Sequence, residues 1–430
     1  MKPLFIISSA YDTYSGYGAR SRDIIKSIID SDKYDVKLIP QRWGQTAWGF
    51  CKDNPEWSFL YDYNLNQPQL PKQPEIWMQI TVPNEFQPVG KYNIGVTAGI
   101  ETTICAPEWI EGINRMDLTF TSSEHSKKVF VESKFEVRNK ETNALEKKVS
   151  LEKPVEVLFE GANTDIYKVI DTPCSLDIQI KENFAYLFVG HWMQGDMGED
   201  RKNVGLLIKA FFETFKNKTT KPALILKTSQ VGSSYMDREE ILKKINKIKK
   251  TVNSDNLPNV YLLHGDFTDE EMNELYNHSK VKAMISLTKG EGFGRPLLEF
   301  TLTKKPLIVS GWSGHMDFLN HEFTNLIGGQ LTKVHPSTQN QFLIPESMWF
   351  SPDLPQVGFY LKDIFENYKN YTDKAKRQAF KSKNEFSWDK MKNKIEELLD
   401  KYTPEFPKEV KLSFPTIKKI ELPKKETING

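Results

Sequence analysis

Gly290-Glu291-Gly292-Phe293-Gly294-Arg295-Pro296-Leu297-Leu298-Glu299 sets two carboxylates on either side of a glycine-rich turn that runs straight into a helix. Gly292 and Gly294 permit positive φ and close approach of the backbone to a ligand, and Pro296 suits the first turn of a helix whose free N–H groups attract anions. Glu291 then falls in the loop, where it can accept hydrogen bonds from sugar hydroxyls. Glu299 falls about one turn into the helix, where it can hold the two hydroxyls of a ribose. With Phe293 and Arg295 between them, these residues are binding candidates. A short glycine motif also occurs as a plain strand–turn–helix connection with a solvated glutamate, so the flanks decide. Ala283-Met284-Ile285-Ser286-Leu287 is an apolar run just before the motif, and Lys305-Pro306-Leu307-Ile308-Val309-Ser310-Gly311 is another just after its helix. This β-loop-α-β order collects ligands at the carboxyl ends of parallel strands.

With those residues the chain resembles the retaining glycosyltransferases of the two-domain GT-B fold, of the family 4 or group 1 type, whose signature is two glutamates separated by seven residues. Glu291 and Glu299 have that spacing. The resemblance implies an α/β protein of two Rossmann-like, doubly wound domains facing an interdomain cleft. It also implies a nucleotide-diphosphate sugar as donor, transfer with retention of anomeric configuration, and neither a metal nor a further cofactor. An Asp-x-Asp metal site of the other glycosyltransferase type does not stand out.

Composition agrees with a two-domain reading. A chain of 430 residues exceeds one ordinary core. Its net charge of +1 gives no overall electrostatic case for a nucleic-acid or membrane partner. Cys51, Cys105 and Cys174 are scattered without metal-ligand spacing, which fits free thiols in a reducing compartment. The apolar run Leu4-Phe5-Ile6-Ile7 is too short for a signal peptide's core, and no stretch is long enough to span a bilayer. A cytoplasmic protein is expected.

Leu4-Phe5-Ile6-Ile7 reads instead as a first strand, followed by the turn Ser15-Gly16-Tyr17-Gly18 and a helix with Ile24, Ile25, Ile28 and Ile29 on one side. In the resembled family this loop lies against the diphosphate and the acceptor, which makes Gly16 and Gly18 donor-binding candidates beside the alternative of a turn chosen for packing. Further strands are expected at Val36-Lys37-Leu38-Ile39, Ile76-Trp77-Met78-Gln79-Ile80, Ile94-Gly95-Val96-Thr97 and Leu118-Thr119-Phe120-Thr121. The segment 41–50, with Trp43 and Trp48, either packs as a loop or stacks on a sugar or base. Where the family often has a histidine near the reacting carbon, this chain has Gly99 and Glu101, so Glu101 is a candidate for orienting the acceptor or stabilising positive charge on the sugar. His125 is expected to be an ordinary surface or interdomain histidine.

The expected layout is an acceptor-side domain over 1–172, interrupted by a charged loop or hairpin at 132–153, then a nucleotide-sugar domain over 173–385. A helix at 386–402 would cross back to the first domain, and 403–430 would form an extended tail. Phe184-Ala185-Tyr186-Leu187-Phe188-Val189-Gly190 opens the second domain. Lys202 matches the family's lysine beneath the departing diphosphate. His191 stands where an arginine is usual, and Arg201 or Arg295 can supply that charge. Gly265-Asp266-Phe267 matches the base-binding loop, and Thr268 with Glu271 reads as a capping box.

The acceptor is open: a glycan, a lipid-linked molecule, a small molecule or a modified base in DNA. The DNA reading would need a basic groove along the first domain, and a noncatalytic nucleotide-sugar binder is a third class.

Overall fold

Every side chain of β1 (Leu4–Ser9) is buried, as expected of a parallel strand covered by helices on both faces. In the computed structural model, which describes residues 2–407 except 66–68, 71, 140, 141, 172, 173, 193, 194, 196 and 231–233, β1 is an inner strand of the first of two six-stranded sheets. The tail from residue 408 onward and the boundary at 172–173 lie outside the described residues.

β1 pairs with β2 (Asp35–Pro40) on one side and β3 (Ile76–Ile80) on the other. β4 (Tyr92–Thr97) and β5 (Leu118–Thr121) follow β3. β6 (Phe135–Arg138) and β7 (Leu145–Val149) form a separate antiparallel hairpin, within the segment read as an inserted loop or hairpin. β8 (Val155–Val157) completes a six-stranded parallel sheet in the order β2-β1-β3-β4-β5-β8.

The second lobe repeats the plan with β9 (Ala185–Val189), β10 (Ala223–Lys227), β11 (Val260–Leu263), β12 (Val281–Ser286), β13 (Leu307–Ser310) and β14 (Asn325–Ile327). Their order is β11-β10-β9-β12-β13-β14, again all parallel. β15 (Gly329–Lys333) and β16 (Met348–Pro352) form an antiparallel pair beside it. Both large sheets carry apolar clusters on each face. Among the described residues no helix is long and apolar enough to cross a membrane.

The last helix, Trp388–Tyr402, belongs to the first lobe's core although it follows the second lobe in sequence. Ser387 caps it by accepting from the Lys390 N–H, and the Trp388 N–H reaches the Ala162 carbonyl at 2.8 Å. Met391, Ile395, Leu398 and Leu399, on one helical face, bury themselves among Phe5, Ile24 and Ile28. The helix therefore ties the lobes together. Ile395→Ala should cost about 2–5 kcal/mol through lost burial and the cavity left behind, seen as a lower denaturant midpoint; an unchanged midpoint would mean that this helix is not part of the cooperative core.

Two glycines set how closely the lobes approach. A Cβ on Gly290 would lie 2.0 Å from the Glu101 carbonyl oxygen, and one on Gly292 would lie 2.2 Å from that of Ala98. Only a bare backbone fits at either position.

Candidate functional site

In the second sheet the chain moves from β9 to one side and later returns as β12 on the other, so the loops after β9 and β12 diverge and leave a crevice at their carboxyl ends. The first sheet has the same switch between β1 and β3. A cleft of about 500 Å³ runs between the lobes, lined by Tyr14, Gly16, Arg22, Asp23 and Glu160 from the first. From the second come His191, Arg201, Lys202, Gly265, Asp266, Phe267, Arg295 and Glu299.

The loop after β9 delivers the cations. Asp200 accepts from the Val204 N–H at 3.2 Å and pins the start of the Val204–Phe215 helix, which leaves Arg201 and Lys202 at the crevice. Lys202 Nζ lies 2.6 Å from Glu291 Oε1, while Arg201 Nη1 lies 3.3 Å from Glu291 Oε2 and 3.3 Å from Glu101 Oε1. Burial opposes charge on Glu291, but Lys202 and Arg201 outweigh it and hold the carboxyl down at about 2. Glu291 is anionic and locked. Its own N–H donates to Ser313 Oγ at 2.9 Å, and its carbonyl accepts from the Gly314 N–H at 3.0 Å. Beside it the fully buried His315 places Nε2 at 2.6 Å from the Ser310 carbonyl, so that nitrogen carries the hydrogen; burial depresses the ring's pKa and keeps it neutral.

Glu299 sits in a second charge cluster. Arg295 Nε is 2.8 Å from Glu299 Oε1, and Arg295 Nη1 is 2.8 Å from Asp23 Oδ2 in the other lobe. Tyr276 directs its hydroxyl at Glu299 from 3.5 Å. Burial, with the charges of Asp269 and Asp23, pushes the Glu299 carboxyl up to about 7 against the pull of Arg295. The two clusters share one plan: Glu291–Arg201–Glu101 and Glu299–Arg295–Asp23 each join a motif glutamate, through an arginine, to an acid of the first lobe.

Gly16, His191, Arg201, Lys202, Gly265, Asp266, Phe267, Arg295 and Glu299 thus line one cleft, and Glu291 and Glu101 meet behind it through Arg201. Three of the expected donor-binding residues, Gly18, Gly292 and Phe293, do other work. A Cβ on Gly18 would fall 2.3 Å from the Thr13 carbonyl, so that glycine serves the packing of its own turn. Gly292 does not take positive φ and is needed for contact between the lobes; Gly294 does take it, at 95°, in opening the next helix. Phe293 turns away into the core, its ring 5.0 Å from that of Phe318. Trp43 stacks on Tyr17 at 3.9 Å, Trp48 is exposed, and Phe50 and Trp57 line the cleft in their place. His125 meets Trp312 of the second lobe edge-on at 4.7 Å. Asp23 and Tyr276 carry no functional signal in the sequence, because their partners Arg295 and Glu299 lie on another element.

No protein-family model matches the chain, and no curated protein matches it by sequence. Solved structures do resemble it. Sucrose-phosphate synthase from Thermosynechococcus elongatus aligns over 93% of this chain and 99% of that one at 11% identity and a TM-score of 0.58. A glycosyltransferase from Rickettsia africae ESF-5 aligns over 93% and 98% at 13% identity and 0.59. Anabaena HepE in complex with UDP-glucose aligns over 93% and 100% at 14% identity and 0.55. Two six-stranded parallel sheets with flanking helices, facing each other across one cleft, give this chain the GT-B fold of glycosyltransferases.

Proposed function

We propose that the cleft binds a nucleotide-diphosphate sugar and that the protein is a glycosyltransferase acting with retention. The observation that carries this reading is the meeting of Lys202 and Arg201 with Glu291 at the switch point of the second sheet, with Glu299 in the same cleft. HepE, of the same fold, has been solved with UDP-glucose, which supports a nucleotide sugar as the ligand class.

Arg201 and Lys202 are held by acids, so an incoming pyrophosphate takes part of their charge from Glu101 and Glu291. As the sugar–phosphate bond breaks, the growing negative charge on the leaving diphosphate is met by fixed cations, which stabilises the transition state more than the ground state. Glu291 accepts hydrogen bonds from the sugar and Glu299 from the ribose. In this scheme a diphosphate oxygen takes the acceptor's proton on the face that the leaving group vacates, which gives retention.

A panel of nucleotide sugars tested by thermal shift checks the reading. A donor at one hundred times its dissociation constant should stabilise the fold by about 2.7 kcal/mol; no shift with any of them would refute it.

Glu299 adds a pH dependence. It accepts from two hydroxyls as a carboxylate, and its pKa is raised from 4.5 to about 7, so donor binding should tighten from about pH 6 to about pH 8. The folding linkage has the opposite sign: the contribution is full below the unfolded value and is lost as pH rises through about 7. Titrating donor at several pH values should give this slope in the native protein and a flat profile in Glu299→Gln; equal slopes in both would assign the titration to another group.

A further inference from the structure

We propose that the first lobe supplies part of the nucleobase site: Phe50 and Trp57 form an aromatic wall on which the base stacks, opposite the Gly265-Asp266-Phe267 loop of the second lobe. The inference rests on the donor reading above and extends it to a contact from the lobe otherwise expected to face the acceptor.

The wall is built from the chain between β2 and β3, which folds as a short helix at Phe50–Asp53 and a 3-10 stretch at Pro55–Tyr63. It is fastened to the end of β1 through Asp12. The Asp12 carbonyl accepts from the Gly49 and Phe50 N–H groups at 2.9 and 3.2 Å. Its buried carboxylate accepts from the Cys51 N–H at 2.8 Å and from the Tyr61 hydroxyl at 3.1 Å. Arg22 braces the rings from within the lobe. Its Nη1 is bound by the Tyr11 and Thr13 carbonyls at 2.7 and 3.0 Å, and its guanidinium lies 3.4 Å from the Phe50 ring centre and 5.8 Å from that of Trp57. Tyr14 meets Phe50 edge-on at 5.1 Å and donates to Asp53 at 2.8 Å.

So anchored, the half-buried Phe50 and Trp57 line the same cleft as Gly265 and Phe267, the latter carrying Lys227 over its ring at 4.4 Å. Charges act across this end of the cleft: Asp266 raises the pKa of Tyr14, after burial and the nearer Asp53, and Asp269 acts on Arg22. The base is the one flat, weakly polar part of a nucleotide sugar, whereas the rest is hydroxylated or charged. Fixed aromatic faces suit it, and the backbone groups of residues 265–267 are left to read its edge.

Stacking is indifferent to which base is present, because every base has a π-face. The wall should therefore add affinity without choosing the base. The test is calorimetric titration of the native protein, Phe50→Leu, Trp57→Leu and Trp57→Phe with UDP, GDP, ADP and inorganic pyrophosphate. The leucine variants should bind every nucleotide roughly ten-fold more weakly, with the rank order of bases and the pyrophosphate affinity unchanged, and Trp57→Phe should retain binding. Unchanged nucleotide affinity in the leucine variants would overturn the inference, as would an equal loss for pyrophosphate. A native protein that binds no nucleotide overturns the donor reading itself, a separate result.

Discussion

Lys202→Ala is expected to lower glycosyl transfer by roughly 100- to 1,000-fold, the usual effect of removing one preorganised group from a developing anion. Its ammonium lies 2.6 Å from Glu291 and at the helix start beneath the proposed diphosphate. The substitution also leaves a buried carboxylate with Arg201 as its remaining cation, so stability should fall as well, by about 1–3 kcal/mol. A second change separates the two effects. In Lys202→Ala/Glu291→Gln the unpaired charge is gone, and stability should return while activity stays low. Full activity in the single variant would reject the leaving-group role; activity that recovers with stability would reduce Lys202 to a structural ion-pair partner.

The second large effect concerns the gap between the lobes. Gly292→Ala would force a methyl group against the Ala98 carbonyl, where the Cβ has only 2.2 Å, and backbone on both sides leaves nothing flexible to yield. The lobes must separate by a fraction of an ångström to about an ångström, which misaligns groups contributed from opposite walls. A displacement of that size costs about 100-fold in rate. Each lobe keeps its own core, since the contact lies between them. Turnover assays with circular dichroism should thus show a folded protein with little activity; native turnover would show that the lobes tolerate looser contact.

The fold was legible because parallel strands covered on both faces are short continuous apolar runs. β1, β3 and β12 could be read directly, and the capping box at Thr268 and Glu271 forms as its spacing indicated. Lys202 and Gly265-Asp266-Phe267 are marked in the sequence by the resemblance rather than by local pattern, and all four line the cleft. What local pattern could not supply was the partner. Asp23 is one polar residue on an isoleucine-striped helix until folding brings Arg295, 272 residues away, against it. The glycines of the motif looked conformational, yet Gly292 is dictated by a neighbouring backbone and not by φ. Phe293 looked like a loop residue, but its direction depends on Phe318 and Phe386, distant in sequence. In the aromatic segment 41–50 the indoles of Trp43 and Trp48 stand out, while the rings facing the cleft, Phe50 and Trp57, are set by the Asp12 and Arg22 anchors.

Hydrogen exchange with and without a bound nucleoside diphosphate shows whether both lobes close on one ligand in the cleft. Slower exchange is expected in several separate segments at once: Asp200 through Val204, residues 265–267, and the start of the Arg295–Thr301 helix, with Gly16 and Ala19 of the opposing lobe. Protection confined to one lobe's outer surface, with none at the loops that follow β9 and β12, would contradict a ligand shared by both lobes.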